Sequence, residues 1–268
     1  MRYVFNGGLP NKKGRPMIIR HALRDDEWER IKDLLPGRDG TVGVTAKDNR
    51  LFVEAVLYRY RTGTPWRDLP EHFGYWKVVH IRFSRWAKSG VINRVFRQLA
   101  ADADNEYAMI DSSIVRAHQH STVAITKRDA ESIGRSKGGL STKINTVVDA
   151  LGNPVDFVLT PGQACDLDGS DKLLPKIEAK TLLADKGYDA DERVINPLLL
   201  AGKEVVIPSK SNRKEPRIYD KELYKARHLI ENFFCKLKQF RGIATRYDKT
   251  ARNFLAAIYL VSVTIWLN

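Results

Sequence analysis

A glutamate set among cations on one helical face is the richest chemical feature of this chain. Residues 224 to 238 read Tyr-Lys-Ala-Arg-His-Leu-Ile-Glu-Asn-Phe-Phe-Cys-Lys-Leu-Lys, which puts Tyr224, Arg227, Glu231 and Lys238 at offsets 0, 3, 7 and 14. At about 100° per residue, these four fall within a ~60° arc of a helix. Leu229, Ile230, Phe233, Leu237 and Phe240 occupy an adjoining face suited to a core. An acid beside an arginine and a lysine suits a divalent cation that works on phosphates: the acid holds the cation and the bases hold the anion.

Two more acids close short apolar runs. Asp111 follows Tyr-Ala-Met-Ile, and Asp185 follows Thr-Leu-Leu-Ala. Each run predicts a strand, with the acid at its end. Taken singly, such an acid is an ordinary cap or turn residue. Taken with Glu231, the pair matches what hard cations require. Mg²⁺ uses a few carboxylates plus the substrate phosphate, and two ions ~4 Å apart can serve both the attacking and the departing oxygen of an in-line displacement.

The spacing Tyr-x2-Arg-x3-Glu-x6-Lys resembles the signature helix of bacterial insertion-sequence transposases of the DDE type, the group around insertion sequence families four and five. The stretches "MIDSSIVRAHQH", "GRSKGGLSTKI", "VVDALGNP", "LADKGYDAD" and the long run from Ser211 to Ala256 are similar, in the same order, to the insertion-sequence-five family. The resemblance runs from roughly Leu23 to the C-terminus. It implies a DNA transposase that binds insertion-sequence ends, hydrolyses phosphodiester bonds there and transfers the freed strands into target DNA. Asp111, Asp185 and Glu231 would be the catalytic and metal-ligating trio, using Mg²⁺ (or Mn²⁺), two ions per active site. Arg227 and Lys238 would steady phosphates, and Tyr224 would pack against or hydrogen-bond the strand. The implied partners are double-stranded DNA, both terminal inverted repeats and target, and further copies of the chain in a homodimer or higher homo-oligomer. The 46-residue interval from Asp185 to Glu231 (231 − 185) has no room for the inserted β-domain of larger relatives. Two other classes share these features: a catalytically silent DNA-binding repressor, and a nuclease of the same fold that cuts without joining.

The elements that must position this trio divide the chain in three. Residues 1 to 22 form a basic arm punctuated by Gly and Pro, a composition that rarely packs by itself. Within it, Lys12-Lys13-Gly14-Arg15-Pro16 resembles an AT-hook core, whose Arg15 would enter a narrow minor groove. Residues 23 to 104 carry helical patterns, with Thr45 and Asp48 as a capping box and a tight break at Gly90. Lys77, Arg82, Arg85 and Lys88 lie opposite Val79, Phe83, Trp86 and Ala87, so a small all-helical helix-turn-helix domain is expected to bind DNA, and to do so without the rest of the chain. Residues 105 to 268 change to strands, then to strands alternating with helices. This is the order of an RNase H-like catalytic domain with a mixed sheet, giving an α/β fold class overall.

Smaller features follow from the same pattern. Gly152-Asn153 predicts a hairpin turn shaped by Asp149, and a single long helix is expected over 220 to 240. Residues 134 to 139 are a basic loop that lacks P-loop spacing, and 209 to 219 a polar, basic linker that solvates or touches DNA. His118 and His120 are expected at the site rim or on DNA, and Asp166, Asp168 and Asp171 as helix caps.

The bulk numbers agree with a polyanionic partner. The chain has 268 residues, with 45 Lys+Arg against 32 Asp+Glu and a net charge of +13. Two cysteines, Cys165 and Cys235, provide neither a metal cluster nor a disulfide framework, which suits a bacterial cytoplasm. The apolar stretch 254 to 267 is 14 residues long, short of the ~20 needed to span a bilayer, and is expected to be buried.

Overall fold

The computed structural model describes residues 22–37, 48–122 and 132–268. Arg15, the AT-hook-like arm and Thr45 lie outside these residues.

The chain opens with α1 (Asp25–Ile31), α2 (Asn49–Thr62), α3 (Trp76–Lys88) and α4 (Val91–Ala100). Asp48 caps α2 by accepting the Leu51 amide at 2.8 Å. Between α3 and α4 the chain turns at Gly90, whose φ of 72° is the left-handed conformation that disfavours any side chain. The helix, short turn and helix expected from the sequence are therefore present.

Next come β1 (Tyr107–Ala117), the short α5 (Gln119–Thr122), β2 (Gly134–Ser136), β3 (Gly139–Val148) and β4 (Pro154–Pro161), then α6 (Asp166–Leu173) and β5 (Thr181–Leu183). They are followed by α7 (Asn196–Leu200), β6 (Glu204–Val206), α8 (Lys221–Tyr224), α9 (His228–Lys238), α10 (Arg241–Ala244), β7 (Thr245–Arg246) and α11 (Ala251–Leu267). The sheet is mixed. Strand β1 lies between antiparallel β3 and parallel β5, β6 continues parallel beyond β5, and β4 pairs antiparallel with β3. The resulting order, β4-β3-β1-β5-β6, with three antiparallel strands in series and then two parallel ones reached through helices, is the RNase H-like arrangement.

Three local expectations are corrected. Strand β1 runs six residues past Asp111, because Ser112 to Arg116 continue the ladder to β3, so Asp111 is mid-strand rather than at its end. The 134 to 139 segment is a hairpin, with Ser136 paired to Gly139, rather than an open loop. The long helix over 220 to 240 is broken: a tighter 3-10 turn, Lys225–Arg227, separates α8 from α9.

Alternation along β1 and β5 sorts the core into two layers. Ala108, Ile110, Leu182 and Ala184 face α6 and α7, with Tyr188 and Leu198. Met109, Val115 and Leu183 face the other way, onto Ile230, Phe233 and Leu237 of α9 and the apolar length of α11. This second layer also contains Phe52, Val56, Phe83, Val95 and Phe96, so the helical region and the sheet share one continuous core across residue 104. The predicted burial of 254 to 267 holds, as α11.

Candidate active site

The pairing of β1 with β5 positions two of the three acids. Met109 stands opposite Leu183, so the same register two residues on brings Asp111 and Asp185 to the same level of neighbouring strands. By alternation, Asp111 shares the face of Met109, the face that α9 covers. The charge of Asp185 reaches Asp111. Burial holds the Asp111 carboxyl above its ordinary range, and the neighbouring Asp185 adds to the shift against the opposing Ser112 amide and Arg227 guanidinium.

Each carboxylate is held by a distinct donor. Asp111 Oδ1 accepts the Ser112 amide at 2.7 Å, and Asp185 Oδ1 accepts the Gly187 amide at 2.8 Å. A Cβ at residue 187 would stand 2.8 Å from Asp185 Oδ1, so any side chain there would displace that carboxylate. Asp185 Oδ2 and Glu231 Oε2 accept no hydrogen bond among the described residues.

Glu231, in the first turn of α9, reaches the pair through an intermediary. Arg227 donates from Nη1 to Asp111 Oδ2 at 3.0 Å and from Nη2 to Glu231 Oε1 at 2.6 Å. The Asp111 and Arg227 side chains are 20% and 17% exposed, against 59% for Glu231, so the third acid stands on the open side of the site. Among the described residues no three acids, histidines or cysteines already sit close enough to share one ion. In this arrangement the Arg227 guanidinium stands between Asp111 and Glu231. The donor set still suits a hard divalent cation, with carboxylate oxygens gathered at one edge, two of them free, and a cation already bridging two of the acids.

The remaining signature residues are also placed. Tyr224 packs edge-on against Tyr219 at 5.5 Å, and burial, with a push from Asp185, holds its phenol pKa above the ordinary value against the opposing Arg227 guanidinium. Lys238 is half-buried at the end of α9, and the 3-10 turn offsets Tyr224 and Arg227 from the straight-helix positions assumed from the spacing. On α3, Lys77, Arg85 and Lys88 are exposed. Arg82 departs from them: its guanidinium lies over the Phe52 ring at 4.2 Å and the Trp86 ring at 4.9 Å, and it bonds Asn49. His118 stacks on Tyr247 at 4.8 Å, beyond the end of β1. Asp149 shapes its turn as expected, accepting the Leu151 and Asn153 amides, and Asp168 caps α6 through the Cys165 amide.

Sequence reasoning missed two supports of the site. Beneath it, on the other face of the sheet, Asp166 accepts both the Ser112 hydroxyl and Lys143 Nζ at 2.6 Å, beside the buried Tyr188 phenol. Beyond Asp185, Asp189 and Asp191 hold Arg213 and Arg217, so two arginines of the 209 to 219 linker are committed to carboxylates and do not simply face solvent. The only local signal was the pair Asp189 and Asp191, two apart in "ADKGYDAD", which does not specify long-range partners.

Comparison with known proteins identifies the family. Residues 104–266 match a family model described as "Transposase DDE domain", and residues 23–96 match one described as "Putative transposase of IS4/5 family". The chain is 46% identical over 120 residues to "Uncharacterized protein y4sN" of Sinorhizobium fredii, covering 44% of this chain and 87% of that one. It is 38% identical over 132 residues to "Putative transposase for insertion sequence element IS6501" of Brucella ovis, covering 48% and 99%. Among solved structures, "Mos1 transposase paired-end complex with left transposon end" is similar at 11% identity and a TM-score of 0.26, covering 80% of this chain and 86% of that one, which adds nothing to the strand order above.

Proposed function

The chain belongs to the DDE transposases of bacterial insertion sequences, and from that premise we propose that it binds the ends of its own element, hydrolyses phosphodiester bonds there and joins the freed 3′-hydroxyls to target DNA. The observation that carries this reading is the levelling of Asp111 with Asp185 on adjacent parallel strands, with Glu231 tied to Asp111 by one guanidinium.

Asp111, Asp185 and Glu231 would hold divalent cations, Mg²⁺ or Mn²⁺, two per site. Such ions activate an attacking oxygen and neutralise charge on a departing one. The protein's own groups supply the placement. The Ser112 and Gly187 amides fix one oxygen of each aspartate, so the remaining oxygens point in set directions. Arg227, once freed from the carboxylates, is within reach of a phosphate, and Lys238 extends the cationic track along α9. Tyr224 lines the approach. Lys77, Arg85 and Lys88 on the outer face of α3 would grip the duplex, chiefly through phosphates. The same phosphoryl chemistry serves both steps, with water as nucleophile in hydrolysis and the freed 3′-hydroxyl in joining. Since two element ends must be brought together, the working form would be a homodimer or larger. Among the described residues no helix is long and apolar enough to cross a membrane.

The test is to incubate the protein with labelled element ends, a plasmid target and Mg²⁺. Cut and joined products are expected, and Asp185→Asn should abolish both while leaving end binding nearly intact. Cutting without joining would make the protein a nuclease, and binding without either a repressor.

A further inference from the structure

The loops that follow β5 and β6 meet beside the acids. Because these strands are parallel neighbours, their carboxyl ends open on the same edge of the sheet, where open α/β sheets receive ligands. Between the loops lies an open cleft of about 390 Å³, bounded by Asp185, Lys186 and Gly187 on one side and Lys210, Ser211 and Asn212 on the other.

The charges around this cleft are unevenly spent. Arg213 and Arg217 are consumed: Arg213 donates to Asp189 at 2.8 and 2.9 Å and to Asp191 at 3.0 Å, and Arg217 donates to both acids. The Lys210 amide also donates to Asp189 at 2.8 Å, and the Arg217 amide to the Ser209 hydroxyl at 2.8 Å. This strap fastens the second loop to the segment just after Asp185. Lys186 and Lys210, by contrast, make no side-chain ion pair among the described residues, and both border the cleft. A preformed cleft with two uncommitted ammonium groups, a hydroxyl and an amide is suited to an anion, and its open shape suits one carried on a chain.

We propose that this cleft seats a backbone phosphate of the DNA strand adjacent to the phosphate that reacts, with Lys186 and Lys210 neutralising it and Ser211 and Asn212 donating to its oxygens. The proposal rests on the transposase reading and deepens it by naming a strand contact that lies apart from the α9 signature. The strap's role is to hold Lys210 at a fixed distance from Asp185, so that seating the flanking phosphate also registers the reacting one.

The experiment combines a double variant, Lys186→Gln with Lys210→Gln, with element-end duplexes carrying a single uncharged methylphosphonate at each position near the cut. For unmodified DNA the variant should bind about tenfold more weakly, and its salt dependence should be shallower by about one unit of slope, the value for one phosphate no longer neutralised. One methylphosphonate, within about two nucleotides of the cut, should weaken the wild type and leave the variant unaffected, and Lys186→Arg with Lys210→Arg should restore wild-type behaviour. Wild-type affinity and slope in the glutamine variant would overturn the proposal, as would equal sensitivity of both proteins to every methylphosphonate. If the wild type fails to discriminate element ends from other DNA, the transposase reading falls first, and the proposal with it.

Discussion

Arg227 changes the account of the site most. The helical spacing marks it as a cation near Glu231, and an i to i+4 pair of this kind is worth only ~0.5 kcal/mol by itself. Its second contact, to Asp111 across 116 positions of sequence, ties the polar side of the helix to the sheet, beside the apolar packing of Ile230, Phe233 and Leu237. No local pattern encodes that contact, because it depends on where α9 settles over β1. A divalent cation would compete with this guanidinium for the same oxygens. Arg227→Gln should therefore bind Mn²⁺ more tightly than the wild type, by about fivefold or more, since even ~1 kcal/mol of relieved like-charge repulsion gives that factor. Titration followed by electron paramagnetic resonance checks this, and unchanged or weaker Mn²⁺ binding would remove the competitor role from Arg227. Although Asp111 lies within β1 rather than at its end and a 3-10 turn precedes the helix of Glu231, the strands and the helix that carry the three acids were legible in the sequence. The amide of Gly187 on Asp185 was not, since a close approach leaves no periodic trace.

Helix α3 shows how an amphipathic pattern sorts residues only in part. Four cations were expected on its outer face, and Lys77, Arg85 and Lys88 are exposed there. Arg82, on the flank, instead uses its planar group to cover Phe52 and Trp86. Arg82→Ala should accordingly destabilise the fold by ~1 kcal/mol through lost stacking and packing. Arg85→Ala with Lys88→Ala should leave stability unchanged and weaken binding to element ends, with a shallower salt dependence. Thermal melting and a salt-titrated binding assay separate the two effects. A stable Arg82→Ala that fails only in DNA binding would return this residue to the interface. The break between α8 and α9 was illegible for a related reason. Residues 225 to 227 are ordinary helix formers, and it is tertiary context that tightens the turn.

At the scale of the molecule, the sequence divides cleanly at residue 104, whereas the core does not. Phe96 of α4 packs on Phe157 of β4 and Tyr259 of α11, the Trp266 indole donates to the Pro154 carbonyl at 2.8 Å, and Tyr60 of α2 donates to Asp248 at 2.9 Å. The pattern of elements, strands after helices, fixed the order legibly. It left open what would cover α4, because the covering helix comes about 150 residues later. Residues 23 to 104 expressed alone should therefore lack a cooperative melting transition, and the intact chain should unfold in one step. A fragment that folds and binds element ends unaided would reinstate the independent domain expected from sequence. The same long-range closure underlies the central claim, that segments around positions 111, 185 and 231 form a single divalent-cation site. Loading the protein with Fe²⁺ and adding ascorbate and peroxide generates radicals that cut the backbone beside the ion. Mapping the fragments by mass spectrometry should show cuts clustered at those three segments, suppressed by excess Mg²⁺ and absent when Asp111→Asn is combined with Asp185→Asn. Cuts elsewhere in the chain, or a pattern unchanged in that double variant, would contradict it.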